Sequence, residues 1–464
     1  MKQFFRFFLL LIFFINFSYS LCFAMENEPG ASIRLRQEIW DNVVDLGTTP
    51  KAQPDRNFFR LRIQLWNNIK FNENFGSYIR ITTEPRYYTG PYRLILDNET
   101  NKKRFDQDEV LIDNLYFDVK KPFDLPVNLR IGRQDFLGKD IYGEGFLIVD
   151  GTPGDGSRTY YFNAIKATVS IADGHSVDIA YVSDPKTDIY LPIIHPSYYD
   201  KSSGGVYIHH KRRLTGSNEQ GFWIYGRHRI TAKFNIEPYY IYKKEEAYDV
   251  IKESYVNTFG IRAVFKMDSF SLRGEIATQD GKYKHGQDRS GIGGYSFAEY
   301  LIKNCPVTPA LEVGYIYLSG DKRGTSNKDE GFNPVFSRAP QWNELLIYTF
   351  IPETAGKGGP IPGYWTNLKA LIANLKVKPL KDMTIKLSYQ HLWADKKSNI
   401  TSGTYKNMFT NDGKNRGDLY AFIANYNFTK AFDGMLQVEY FDPGDFYKNA
   451  RRATFIRWQL QYKM

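Results

Sequence analysis

The chain has almost no cysteine. Of its 464 residues only Cys22 and Cys305 carry a thiol, and Cys22 lies in a segment read below as a removed leader, so no disulfide framework holds the fold. Long apolar runs are equally scarce. Past the leader nothing approaches the roughly 18 consecutive apolar residues that a membrane helix needs. No repeat of about 20–50 residues recurs, which argues against propellers and solenoids. The histidines (His175, His195, His209, His210, His228, His285 and His391) are scattered, and none sits in a Ser–His–acid arrangement that would activate a nucleophile. His209 and His210 are adjacent, and neighbours on a strand face opposite sides, so that pair cannot chelate from one face. The Asp/Gly stretches 150–156 and 319–322 lack the ligand pattern of a calcium loop. Residues 353–360 are glycine-rich without the Gly-Lys-Ser/Thr ending of a phosphate loop. Neither catalysis, nor a metal, nor a cofactor is expected.

Aromatic residues are what the chain has in plenty. Tyr (34) and Phe (34) dominate a composition that is 16% aromatic and 24% charged, a bias toward strands. The N-terminus reads as a secretory signal peptide over residues 1–24: Lys2 and Arg6 flank an apolar run from Phe4 to Phe17, and a processing region leads to cleavage after Ala24. Cys22 raises a lipoprotein alternative, but Leu21 stands where that processing wants a small residue. The net charge of +10 becomes about +8 once those two basic residues leave. An exported protein has little use for positive charge in binding nucleic acid. An exported chain without a membrane helix is either soluble beyond the inner membrane or a barrel.

Residues 25–464 read as one domain of alternating segments. The last stretch shows the pattern best: Thr454, Ile456, Trp458, Leu460, Tyr462 and Met464 form one row, and Phe455, Arg457, Gln459, Gln461 and Lys463 the other. Period-two alternation is a strand signature, and apolar residues running to the last position suit the closing strand of an outer-membrane barrel. The pattern recurs at 32–40, 58–66, 76–84, 109–120, 126–135, 160–171, 176–183, 205–211, 234–243, 257–266, 269–278, 294–303, 309–319, 366–377, 383–393, 417–428, 434–441 and 453–464. The expected fold is therefore all-β, a transmembrane antiparallel up-and-down barrel of about 18 strands, the even count that keeps both termini on the periplasmic side. Connections support it, because tight links such as 121–125, 172–175, 267–268 and 379–382 alternate with long ones at 41–57, 85–108, 136–159, 184–204, 279–293, 320–365, 394–416 and 442–452. One piece resists: 212–233, with Phe222-Trp223-Ile224-Tyr225, should be a short turn and reads instead as an insertion.

If the apolar rows face lipid, the other rows line the lumen. Inward by parity come Arg34, Arg36, Arg60, Arg62, Arg80, Arg130, Lys166, Arg262, Arg273, Lys369, Lys386 and Arg457, against the acids Glu38, Asp118, Glu275, Glu312 and Glu439. Basic rings in a pore wall select anions, and arginine grips a carboxylate through two parallel hydrogen bonds. The bland alternative is that Arg–Glu pairs brace the wall.

The segments Arg34-Leu35-Arg36, Leu129-Arg130-Ile131-Gly132-Arg133-Gln134, Thr258-Phe259-Gly260-Ile261-Arg262 and Gly331-Phe332-Asn333-Pro334-Val335-Phe336 together make the chain resemble the alginate export family of outer-membrane barrels. The resemblance implies an 18-stranded monomer with an arginine-rich constriction that passes an anionic uronate polymer outward, with loops over the pore. On that ground alone Arg133, Arg158 and Arg338 join the basic candidates. Met464 departs from the aromatic residue usual at a barrel's end, and the 212–233 piece has no obvious counterpart. The expectation is an outer-membrane channel in contact with lipid, an anionic polysaccharide and periplasmic export partners, with a general or small-anion porin as the alternative. The 320–365 stretch, with Phe336, Trp342 and Tyr348, is the candidate lid or plug.

Overall fold

Side chains that alternate between apolar and polar give a strand two unlike faces, and a sheet of such strands can bury neither face fully unless it closes on itself. The computed structural model describes residues 26–49, 55–90, 105–106, 110–136, 161–195, 214–248, 251–322, 324–336, 342–358 and 364–464. The leader, the predicted strand 205–211, the loop 150–156, and Arg158 and Arg338 lie outside them. The described chain forms a closed antiparallel barrel of 18 strands. They are β1 (Glu26–Asp41), β2 (Arg56–Lys70), β3 (Phe75–Thr83), β4 (Val110–Lys120), β5 (Val127–Gln134), β6 (Phe162–Ala172), β7 (His175–Asp184), β8 (Glu219–Thr231) and β9 (Phe234–Glu245). The second half comprises β10 (Ser254–Met267), β11 (Phe270–Tyr283), β12 (Asp288–Leu301), β13 (Ala310–Leu318), β14 (Leu368–Leu380), β15 (Met383–Trp393), β16 (Asn415–Asn427), β17 (Phe432–Pro443) and β18 (Ala453–Lys463).

Closure runs from Ser32 opposite Lys463 to Asp41 opposite Thr454. Ala31 and Met464 add a last rung through reciprocal backbone hydrogen bonds of 3.1 and 3.0 Å. Met464 thus contributes its backbone to the seam while its side chain stays 72% exposed. A sheet in hydrocarbon must leave no open edge, since unpaired N–H and C=O groups find no water there.

The outward row is apolar around the whole circumference. Ile33, Leu61, Phe117, Ile131, Ile165, Ile179, Phe259, Ile276, Val313, Leu371, Leu387 and Leu436 are all exposed. So much exposed apolar surface would aggregate in water; it is the face that meets lipid. No helix among the described residues is long and apolar enough to cross a membrane.

Two corrections concern where strands lie. The stretch 212–233 is no insertion: it contains β8, which pairs with β7 on one side and β9 on the other. Trp223 and Tyr225 are buried inward and Phe222 and Ile224 are exposed outward. Both faces are apolar, so no contrast in polarity marked the strand. The supposed long connection 279–293 is mostly strand too, because β11 continues to Tyr283 and β12 begins at Asp288. The outward Asp280 and Lys282 are polar because the strand has risen out of the apolar band, and the inward Gln279 because it meets the segment inside the barrel, not because the strand has ended. With β8 in place, the links 71–74, 121–126, 173–174, 232–233, 268–269, 302–309, 381–382 and 428–431 fall at the rim that holds both termini. Four of them have only two residues, among them Asp173-Gly174, where Gly174 takes φ +75°, a conformation glycine adopts without the Cβ clash other residues meet.

Val313, 56% exposed on the outer face of β13, gives a direct check. Val313→Arg is expected to cost about 2–4 kcal/mol if it lies near the bilayer midplane, read as a lower urea midpoint in lipid vesicles, while Val313→Leu is expected to be neutral.

Candidate functional site: the charged interior and the segment across it

The inward rows of β1, β2, β17 and β18 meet at the seam. Arg34, Arg36 and Arg457 are each 1% exposed and Glu38 and Glu439 are 0% exposed. Glu38 Oε1 accepts hydrogen bonds from Arg60 Nη1 (2.9 Å), Arg457 Nη2 (3.0 Å) and, more weakly, Arg36 Nη1 (3.4 Å); Trp40 Nε1 donates to its Oε2 (3.2 Å). Glu84, just past β3, accepts from Arg34 (3.1 Å) and from Arg60 Nε (2.6 Å). Arg36 also donates to Gln459 (2.6 Å) and Arg62 to Gln461 (3.3 Å). Buried guanidiniums demand this: an ion taken out of water costs several kcal/mol unless its partner and hydrogen bonds offset the loss.

The long connection between β13 and β14 supplies the rest. Its described parts lie across the lumen and touch inward side chains on opposite walls. On one wall Asn333 exchanges hydrogen bonds with Gln279 of β11, and the Val335 carbonyl accepts from Lys243 of β9. Phe336 packs on Trp223 of β8 and Phe162 of β6, with ring centroids 5.8 Å apart in each case. On the other wall Asn343 bonds Gln390 of β15 (2.9 Å). The short helix α1 (Leu345–Thr349) then begins against β17 and β18. The backbone N–H groups of Glu344 and Leu345 donate to the Glu439 carboxylate (3.0 and 2.7 Å), and Glu344 itself is paired with Arg457 (2.9 Å). Tyr348 lies 4.1 Å from Trp40 between ring centroids, and Thr349 donates to the Val43 carbonyl. The following helix α2 (Ile351–Gly358) brings Glu353 to Arg416 of β16 (2.7 Å). The segment is a plug inside the barrel rather than a flap over its rim. Phe336 and Tyr348 are packed in this interior, and Trp342 packs on Tyr295 and Trp365.

The remaining predicted residues fall into separate groups. Arg80 pairs with Asp113 and Asp135. Arg130 forms a two-pronged pair with Asp118 (2.8 and 2.9 Å) over the Tyr116 ring. Arg133 is buried, paired with Asp188 (2.6 Å) and stacked on Tyr161. Arg262 pairs with Glu237 and donates to Tyr295, while Tyr239 donates to Glu275. Arg273, Lys376 and Lys386 face Glu299 and Glu312 on the inner wall of β11–β15, where Glu312 contacts Arg273 (2.9 Å) and Lys376 (3.2 Å). Lys369 pairs with Asp395. The structure therefore joins Arg34, Arg36, Arg60, Arg62, Arg457, Glu38 and Glu439 in one cluster and leaves the others apart. Further acids that answer the arginines, Glu84, Asp113, Asp188, Glu237, Glu344 and Glu353, were not among those read as inward; Asp188, Glu344 and Glu353 lie beyond strand ends, where parity gives no signal, whereas Glu84 shares the parity of Arg80 at the end of the expected strand 76–84.

An 18-stranded barrel with a lipid-facing belt, a charged interior and a plug within it defines an outer-membrane channel of porin architecture, placed in the bacterial outer membrane. Solved structures agree on the fold: OccAB4 of Acinetobacter baumannii (12% identity, TM-score 0.56, covering 95% of this chain and 98% of that one) and OccK5 (OpdH) of Pseudomonas aeruginosa (10%, 0.53, 94% and 98%). OprD of Pseudomonas aeruginosa matches at 10% identity and TM-score 0.53, covering 95% of each chain. Curated protein sequences give no match. Residues 209–459, more than half the chain, match the family model for alginate export, and the chain belongs to the alginate export family. The match includes β8, formerly the odd piece, as well as 258–262 and 331–336; the segments 34–36 and 129–134 precede it.

Two substitutions separate wall from plug. Glu38→Ala removes the carboxylate shared by three guanidiniums and is expected to cost about 3–5 kcal/mol, seen as loss of heat-modifiable gel mobility at lower urea. Glu344→Gln keeps an oxygen that accepts from Arg457, so it is expected to cost less stability than Glu38→Ala and to raise single-channel conductance in a planar bilayer.

Proposed function

We propose that the channel passes an anionic polysaccharide, a polyuronate of the alginate kind, across the outer membrane. The observation that carries this reading is the contact of Glu344 with Arg457. A carboxylate from the plug rests on a guanidinium of the wall, in a cluster where Arg34, Arg36, Arg60 and Arg62 crowd the same face. A uronate residue presents the same chemical group, one carboxylate per sugar. Membership of the alginate export family supports the same class of cargo.

The arginines are already paired, so transit works by exchange rather than by filling vacant sites. An incoming carboxylate replaces a protein carboxylate on a guanidinium, and the displaced group returns when the polymer moves on. Such exchange keeps binding weak at each step, which conduction through a multi-site pore requires. The basic side chains Arg130, Arg262, Arg273 and Lys386 extend this path along the wall. Passage of a chain needs the plug to shift, because α1 lies where the polymer would run. The second reading, a general or small-anion porin, draws on the likeness of the barrel to the OprD and Occ porin folds.

Planar-bilayer recording discriminates these readings. A polymer channel should show little small-ion current with the plug in place, an anion preference, and block by polyuronate but not by a neutral glycan of equal length. Free small-ion conduction indifferent to polyuronate would favour the porin, and cation-selective current would contradict the basic pathway.

A further inference from the structure

One side-chain pair serves neither closure nor the inner network. His175 opens β7, His228 lies near the end of β8, and the register sets them directly opposite each other. Both take the outward parity of their strands, shared with Ile179 and Tyr181 on β7 and with Phe222 and Ile224 on β8. Both stand beside the tight links 173–174 and 232–233, at the periplasmic rim. Their Nδ1 atoms are 3.2 Å apart, with ring centroids at 5.5 Å and planes inclined by 39°. Gly226 helps fix this arrangement. A Cβ there would come within 2.8 Å of His228 Nε2, so only glycine lets the ring fold back with Nε2 toward the strand and Nδ1 toward His175. The charges nearby are matched: Arg229 with Asp173 and Arg227 with Asp178.

We propose that His175 and His228 form a cross-strand chelate for a late first-row divalent cation, of the Cu2+, Ni2+ or Zn2+ class. A metal–imidazole bond is about 2.0–2.1 Å long. Two such bonds place their nitrogens about 3.3 Å apart at a tetrahedral angle and about 2.9 Å apart at a right angle. The separation in this protein falls between those values; the two Nδ1 atoms now face each other along the line between the rings, as in a hydrogen bond, so a tilt of both rings would aim their lone pairs at one ion. Directly opposed residues on adjacent strands point to the same face, which is what the adjacent His209 and His210 cannot do. Neutral imidazole selects these metals over Mg2+ and Ca2+, which take oxygen ligands. Solvent at the rim supplies the remaining coordination positions. The metal would also tie β7 to β8 at the end where no turn joins them, since their covalent link is the long connection 185–218 at the opposite rim.

The test is calorimetric titration of the detergent-solubilised barrel, carrying Cys305→Ser to remove the thiol, with Cu2+, Ni2+, Zn2+ and Mg2+ in turn. One equivalent should bind with Cu2+ tightest and Mg2+ silent, and His175→Ala or His228→Ala should each weaken Cu2+ binding at least tenfold. Electron paramagnetic resonance of the Cu2+-loaded parent barrel should show two coordinated imidazole nitrogens, a readout independent of how the variants fold. Unchanged affinity in both variants, or a spectrum without paired imidazole nitrogens, would leave only a hydrogen-bonded histidine pair and overturn the proposal.

Discussion

The Glu38 carboxylate joins guanidiniums from three adjacent strands at the place where the barrel closes. β1 must meet β18, because in lipid an unpaired strand edge has no substitute for its missing hydrogen bonds. Backbone pairing alone does not settle which side chains face inward, and at this seam the inward faces carry Arg34, Arg36, Arg60, Arg62 and Arg457 together. That much positive charge at such low exposure is tolerable only with acids placed among it. Glu38 and Glu84 supply them from the wall, and Glu344 supplies one from the plug.

This last contribution couples the wall to the segment that fills it. α1 is too short to be stable by itself; it holds its place because Glu439 accepts its first N–H groups and Arg457 holds Glu344. On the opposite wall the same segment is fixed by Phe336 in an aromatic pocket with Trp223 and Phe162. The two anchorages differ in kind. The aromatic one is apolar and indifferent to charge, whereas the seam anchorage is made of carboxylate–guanidinium and carboxylate–amide contacts.

Much of the fold was legible in the sequence because the bilayer enforces a strict rule. Residues such as Ile456, Trp458 and Leu460 alternate with Arg457, Gln459 and Gln461, a pattern any half-buried strand can show, but its recurrence along the whole chain suits lipid on one side and a polar interior on the other. The rule failed at β8, where Trp223 faces inward onto the plug's Phe336 and Tyr225 onto Tyr239, leaving no polarity contrast. It also misplaced the ends of β11 and β12, where polar residues mark exit from the membrane. Parity set the inward arginines beside some of their partners, Glu38, Asp118 and Glu312, but missed others such as Asp188, Glu344 and Glu353. Glu344 belongs to a connection whose path depends on contacts with both walls, and no local pattern encodes that path. The sequence thus showed charges of both signs on the inward rows, and the structure adds the pairing of each arginine, including the acids that come from connections.

Whether the plug controls passage is the central question, and one measurement addresses it directly. Asn343 and Gln390 touch at 2.9 Å across the plug–wall contact. With Asn343→Cys and Gln390→Cys introduced over Cys305→Ser, a short cleavable thiol crosslinker should join plug to wall. Polyuronate transit through the vesicle-reconstituted barrel should stop on crosslinking and return on cleavage. Transit that continues unchanged through the crosslinked barrel would show that the polymer does not need the plug to move, and would contradict this account.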